Sequence, residues 1–425
     1  MPLPSSLRQH LIDTRPLAND HFRRLWIAGI ATMIGAQLTV VSVPAQIWTL
    51  TQDSGFVGLT GLFGLVPLLV FGLWGGAIAD AFDRRRVLMV TTTGLIVTSF
   101  LFFVQSWLDI GNVWVILTIF SLQQAFFAVN SPARTAITPQ LVPAGQLPAA
   151  NILSTTVFLL GGVAGPMVGG TLIPVLGFTW LYFADSILLF ATLYAVVKLP
   201  AMVPEGSSGR KAGLASIVDG LRYLRWHHVL LFSFVVDIIA MVFGMPRILF
   251  PQAANLDFGG PVEGGLALAL LFAAIPLGGV LGGLVSGWVS RVERQGRAVV
   301  LCVLVWGVGV VVFGAAVWVA GGTMWPWLGV GLVALAIGGA ADTASSAFRG
   351  TMLLEAAGDD VRGRLQGVFF IVVVGGPRIA DVLHGAVAAK LDAGPTTLWG
   401  GVLVVLGMLV MPWVAPALWR YRVKR

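Results

Sequence analysis

A single cysteine in 425 residues, Cys302, leaves no partner for an intramolecular disulfide and excludes a cysteine-based zinc site or an iron–sulfur cluster. Its position in a long apolar run reads as a small buried thiol. Charge is scarce too. Asp, Glu, Lys and Arg supply 11% of the chain, whereas soluble domains carry about 25%, so a globule of this size could not solvate its surface. No Gly-x-x-x-x-Gly-Lys-(Ser/Thr) loop occurs, so ATP is not expected to drive the protein. No His/Cys metal cluster or nucleophile elbow appears, and the hydrophilic segments are too short for a catalytic domain. No enzymatic activity, metal or cofactor is expected. The first 24 residues hold no apolar stretch of the signal-peptide kind, so the first span itself is expected to direct insertion.

What the chain has instead is apolar length. Hydrophobic residues make up 57%, and 53 more are glycine. A spanning helix needs about 20 mostly apolar residues, and that ruler picks out 26–50, 56–78, 87–107, 113–130, 152–174, 178–197, 229–250, 265–289, 298–320, 325–347, 366–388 and 396–418. The alternating ten-residue pattern of membrane β-strands is missing. With both termini in the cytoplasm, 23 of the 26 Lys and Arg residues fall in cytoplasmic segments, leaving only Arg247, Arg378 and Lys390 elsewhere. The net charge of +7 is therefore a topology signal rather than a nucleic-acid footprint.

The expected organisation is a cytoplasmic segment (1–22), a six-helix bundle (23–198), a cytoplasmic linker (199–228), a second six-helix bundle (229–419) and a cytoplasmic tail (420–425). The halves echo one another. An offset of 215 superimposes Arg134 on Arg349, Gly161 on Gly376 and Gly170 on Gly385; earlier in each half an offset of 207 puts Gly75-Gly76 on Gly282-Gly283 and Arg84 on Arg291. Ordered matches of this kind point to a duplicated unit, and two such units joined by a linker suit alternating access about a midplane cavity.

Three motifs carry mechanism. Between spans two and three, Gly76-x-x-x-Asp80-Ala81-Phe82-Asp83-Arg84-Arg85-Arg86 sets acids against a basic run at the membrane boundary, where they can latch the inner side. It resembles the loop signature of the major facilitator superfamily, with Ala81 in place of the usual basic residue and Asp83 in place of the usual glycine. In span five, Gly161, Gly165 and Gly169 lie four apart, beside Pro166, and span eight offers Gly278 and Gly282. Small residues at this spacing let helix backbones approach closely, and these two helices are expected to pack across the halves as a pivot. The run is similar to the Gly-x-x-x-Gly-Pro-x-x-Gly-Gly signature of antiporter-type, exporting major facilitators. The segment from Asn130 through Arg134 to Asn151, its counterpart from Arg349 to Arg364, and Gly375-Gly376-Pro377-Arg378 resemble the enterobactin-exporter-like branch, over about 22 to 420. That resemblance implies an all-α, twelve-helix membrane fold, in a branch that includes siderophore exporters and multidrug efflux pumps.

Charges inside a span cost about 2.5–3.5 kcal/mol each on insertion scales, so each needs a reason. Asp185, Asp237, Asp342, Arg378 and Asp381 lie in spans. Asp237, nine residues into its helix, is the first candidate for a titrating, proton-coupling acid. Asp342 either couples or pairs with Arg349, and Asp381 either couples or pairs with Arg378. Asp185 reads as a coupling acid or as one hydrogen-bonded between helices. His384 follows on the Arg378–Asp381 face. Gln37, Gln46, Gln123 and Phe127, with Gln124, Phe126 and Trp48, are candidate cavity groups for an amphipathic or aromatic ligand.

The resulting expectation is a secondary active exporter in the bacterial plasma membrane, monomeric and working by alternating access. It would move a drug-like or siderophore-like small organic compound against protons, with the proton gradient as its energy source. An importer or uniporter of a small organic solute, and a lipid-handling membrane protein, are the alternatives.

Overall fold

In a computed structural model the described residues are 13–202, 222–356 and 359–423; the side chains of some helical positions, Asp80 among them, lie outside the description, as does most of the expected linker. Among the described residues there is no strand. The helices are α1 (Asp20–Thr51), α2 (Ser54–Ala81), α3 (Arg84–Trp107) and α4 (Val113–Leu141). The next helical stretch, Leu147–Val197, is divided by Gly177, which sits at φ 72° and ψ 169°. Only glycine takes that backbone region freely, so α5 (147–176) turns directly into α6 (178–197) with no loop. Then come α7 (His228–Gly244), α8 (Leu266–Leu284), α9 (Gln295–Ala320), α10 (Trp327–Ala356), α11 (Asp359–Leu391) and α12 (Ala393–Val414). Counting the divided stretch as two, the described residues form twelve spanning helices.

Several helices run past the expected spans. The fourth continues from 130 to Leu141 and the tenth from 347 to Ala356, because apolar length measures only the part that crosses lipid, while helices continue into water. The eighth instead stops at Leu284, and 286–291 form a tight turn. The seventh is broken. Met245 is extended (φ −104°, ψ 92°) because Pro246 follows it, and the chain resumes as short helical turns from Arg247 to Asp257. A broken helix is tolerated at membrane depth where it is enclosed by protein or lines a cavity.

Helices α1–α6 pack among themselves, as do α7–α12, and the halves meet chiefly along two pairs, α2 with α11 and α5 with α8. An even number of crossings puts both chain ends on one side. The opposite side, at the 51–54 turn, is where the halves close. Trp48 Nε1 donates to Asn255 Oδ1 (3.3 Å), Thr49 Oγ1 to the Val262 carbonyl (3.2 Å) and Gly265 N to the Gly170 carbonyl (2.9 Å). Ser54 also bonds Gln252. Close approach needs glycine here: the Gly385 Cα would lie 3.0 Å from a Cβ on Gly58.

Packing tells the same story. One buried apolar cluster joins Trp48, Val57 and Phe120 of the first half to Ile248, Phe250 and Phe272 of the second. Toward the chain ends the clusters separate, one holding Phe22, Leu88 and Ile137, the other Phe234, Trp306 and Met408. There a Cβ placed on Gly72 of α2 or Gly283 of α8 would meet nothing within 4 Å. The molecule is closed at the 51–54 side and parted toward the termini.

Candidate functional site

The second half buries two ionic groupings of opposite net charge. The first joins α7 and α10. Asp342 and Arg349 are seven residues apart, close to two helical turns, and so share a face of α10. Arg349 pairs tightly with Asp237 and lies 3.7 Å, through Nη2, from Asp342 Oδ1. The Asp237 and Arg349 side chains are 2% and 4% exposed, whereas Asp342 is 33% exposed. Two carboxylates on one guanidinium leave this grouping one negative charge in excess when all are ionised. The expected Asp342–Arg349 pairing is present, but Arg349 lies closer to Asp237, for which the sequence offers no nearby partner.

The second grouping lies where α2, α11 and the broken part of α7 meet. Asp381 Oδ2 takes both Arg247 Nη2 (3.2 Å) and Arg378 Nη1 (3.7 Å). Asp381 is 1% exposed, and its Oδ1 has no hydrogen-bond partner. The expected Arg378–Asp381 pair exists, but the shorter distance belongs to Arg247, which sequence reasoning had noted only as a basic residue outside the cytoplasmic segments. No spacing rule could have joined positions 134 residues apart. The Arg378 guanidinium stands 5.4 Å from the centre of the Phe120 ring and against Gly64, both in the first half. His384, 3% exposed, follows one turn beyond Asp381.

Asp185 sits between α1, α3 and α6. Its Oδ2 accepts from Thr39 Oγ1 (2.9 Å) and Ser99 Oγ (2.7 Å), and no basic side chain pairs with it among the described residues. Of its two readings, this geometry is the hydrogen-bonded one.

The boundary loop is tied within the first half. Asp83 Oδ1 accepts from Arg85 N and from Met202 N (both 3.0 Å), Arg84 Nη1 donates to the Ala136 carbonyl (3.0 Å), and Arg85 Nη2 to the Val197 carbonyl (2.7 Å). Arg134 reaches the Leu25 carbonyl at 3.4 Å. The side chain of Asp80 lies outside the described residues.

Two expectations require correction. The helices proposed as a pivot, α5 and α8, do meet across the halves, but through Gly162 against Pro276 and Gly170 against Ala269. Gly161, Gly165 and Gly169 face Met33, Gln37 and Leu38 of α1, and Gly278 and Gly282 face Ala336 and Ala340 of α10. Pro166 is buried on α5. Each helix carries small residues on two faces, and a stripe in the sequence does not say which neighbour it meets. The other correction concerns the cavity. Gln46 is buried inside the first half, accepting from Tyr182 Oη (2.9 Å) and Gln105 Nε2 (3.1 Å), and Trp48 belongs to the closed seam. Gln37 is half-buried with its stem on Gly165, Gln123 is buried, and Phe127 is 48% exposed.

The family model described as a transmembrane secretion effector matches residues 13–418. The chain is 28% identical over 415 residues to the enterobactin exporter EntS of Shigella boydii serotype 4 (strain Sb227), covering 95% of this chain and 93% of that protein. The same identity and coverage hold for the enterobactin exporter EntS of Escherichia coli O139:H28. Among solved structures it resembles the nucleoside transporter NupG (TM-score 0.70, 13% identity, covering 95% of this chain and 100% of that one). It also resembles a bacterial homolog of the human lysosomal transporter Spinster in an inward-facing, unoccupied conformation (TM-score 0.66, 14% identity, covering 96% and 97%).

Proposed function

Since the chain belongs to the transmembrane secretion effector family of major facilitators and is a multi-pass membrane transporter rather than an enzyme, we propose that it is a proton-coupled exporter of a siderophore-like compound, working by alternating access in the bacterial inner membrane. The observation that carries the coupling is the Asp237–Arg349–Asp342 grouping. It holds one more carboxylate than cation, with one acid sealed away and the other a third exposed. A buried site with one surplus negative charge favours uptake of one proton over burial of an unpaired anion. A proton on Asp237 weakens the hold of Arg349 on α7, whereas one on Asp342 leaves Arg349 to Asp237, so the acid that carries the proton decides how α7 and α10 sit.

Alternating access draws support from the one-sided closure of the seam. With both termini in the cytoplasm, as the distribution of basic residues implies, the closed 51–54 side is external and the parted side faces inward, ready to load a compound for export. The export direction and the siderophore-like substrate rest on the likeness to the enterobactin exporters. The glycine-rich meeting of α5 and α8 is the proposed pivot, with the Gly162 and Gly170 faces as its contact.

The test is transport by the full chain in proteoliposomes under an imposed pH difference. Uptake driven by the gradient is expected for wild type. Asp237→Asn should abolish the response to the gradient while leaving downhill exchange. Equal gradient-driven uptake in wild type and Asp237→Asn would reject the assignment of the proton site.

A further inference from the structure

Arg247, Asp381 and Arg378 form a buried grouping with one positive charge too many. Both arginines reach the same carboxylate oxygen, Asp381 Oδ2, and among the described residues no second carboxylate pairs with either. A charge placed at this depth is costly unless it is paired, and the Phe120 ring under Arg378 offsets only part of that cost. The grouping is therefore one anion short.

Its position gives that anion a route. Asp381 lies ten residues from the outer end of α11, about 15 Å at 1.5 Å per residue, which is mid-membrane and beneath the closed outer seam. The Arg247 side chain is 30% exposed and that of Arg378 17%, while the acid between them is 1% exposed. The accessible part of the grouping is thus its cationic part. Guanidinium groups bind planar oxygen pairs in a bidentate manner, and the buried Phe120 ring backs the Arg378 guanidinium and holds it in place.

We propose that Arg247 and Arg378, the latter braced by the buried Phe120 ring, bind the negatively charged, planar oxygen pair of the transported compound, so that the substrate class is an organic anion of carboxylate type. This rests on the exporter reading above. The bound anion competes with Asp381 for the two arginines. Because Arg378 spans the halves through Phe120 and Gly64, occupancy acts on the same contacts that close the outer seam. Asp381 is the internal counter-ion of the two arginines here: it shares them with the ligand and lowers, by competition, the affinity they would otherwise give.

The test measures binding alone, with no gradient, so loss of proton coupling does not affect it. Full-length protein in lipid nanodiscs is titrated calorimetrically with salicylate and with its neutral isostere salicylamide. Salicylate is expected to bind at least about tenfold more tightly, a charged hydrogen bond being worth about 1.5–3 kcal/mol. Arg247→Gln and Arg378→Gln should each remove that preference without changing salicylamide binding, which also reports intact folding, and Arg247→Lys should keep part of it. Asp381→Asn should tighten salicylate several-fold, because the competing carboxylate is gone; a purely structural acid would weaken it. Equal affinity for the two probes, binding of neither, or an Asp381→Asn variant that binds salicylate less well would overturn the proposal.

Discussion

The Arg378 guanidinium of the second half stands 5.4 Å from the centre of the Phe120 ring of the first half and packs against Gly64 of α2. A charged side chain at membrane depth thus helps to hold the two halves together on the closed side. Cation–π pairs that are desolvated contribute about 2 kcal/mol or less, enough to bias two conformations but not to lock one.

Replacing Phe120 by Leu keeps most of the apolar volume and removes the ring. The ratio of closed to open forms should fall about five- to thirtyfold for a loss of about 1–2 kcal/mol. Cross-linking of Ser54→Cys with Gln252→Cys, whose side chains touch across the seam, reads this directly in a Cys302→Ser background. The reaction should slow in Phe120→Leu; an unchanged rate would mean that the ring does not stabilise closure.

Arg349→Gln leaves the buried Asp237 and the part-exposed Asp342 without their cation. Breaking a buried pair from one side costs about 3–5 kcal/mol. Thermal unfolding should therefore show a large loss of stability, and adding Asp237→Asn should recover much of it. If the double variant is no more stable than Arg349→Gln, the two groups do not depend on each other.

A methyl at Gly58 would sit 2.7 Å from the Asp381 carbonyl oxygen and 3.0 Å from the Gly385 Cα, closer than packed atoms allow. Gly58→Ala should hold the outer seam apart and reduce transport while the protein still folds, because α2 and α11 part in the alternate state. Gly72→Ala meets no neighbour within 4 Å and should transport normally. Comparable loss in both would point to helix propensity rather than wedging.

Asp185 has two hydroxyl donors and, among the described residues, no basic partner, so its task is satisfied by an acceptor oxygen. Asp185→Asn should retain gradient-driven transport. Asp185→Leu removes the acceptor for Thr39 and Ser99 and should lower stability by about 1–3 kcal/mol. Loss of coupling in Asp185→Asn with stability intact would assign the proton to this acid instead.

The spans and the family were legible in the sequence because each depends on features local to the chain. Apolar length shows a crossing wherever it occurs, and the motif around Gly161 to Gly170 is contiguous. Reading which face of a helix meets which neighbour failed for Gly161, Gly165 and Gly169, since every helix here is apolar on all sides. In water a polar face would have marked the outside; in lipid the outside is apolar too, and the pattern gives no direction. Gln46 was misjudged for the same reason: a lone amide marks a polar interior without saying whether that interior is a cavity or a helix junction.

Composition alone determined that this chain lives in a membrane and crosses it repeatedly, because the cost of burying charge and unpaired backbone in lipid leaves long apolar helices as the only use for such residues. Tertiary structure alone decided which charges meet. Asp237 with Arg349 and Arg247 with Asp381 are 112 and 134 residues apart along the chain, and a charge in lipid is satisfied by whatever partner packing brings within reach, near in sequence or far.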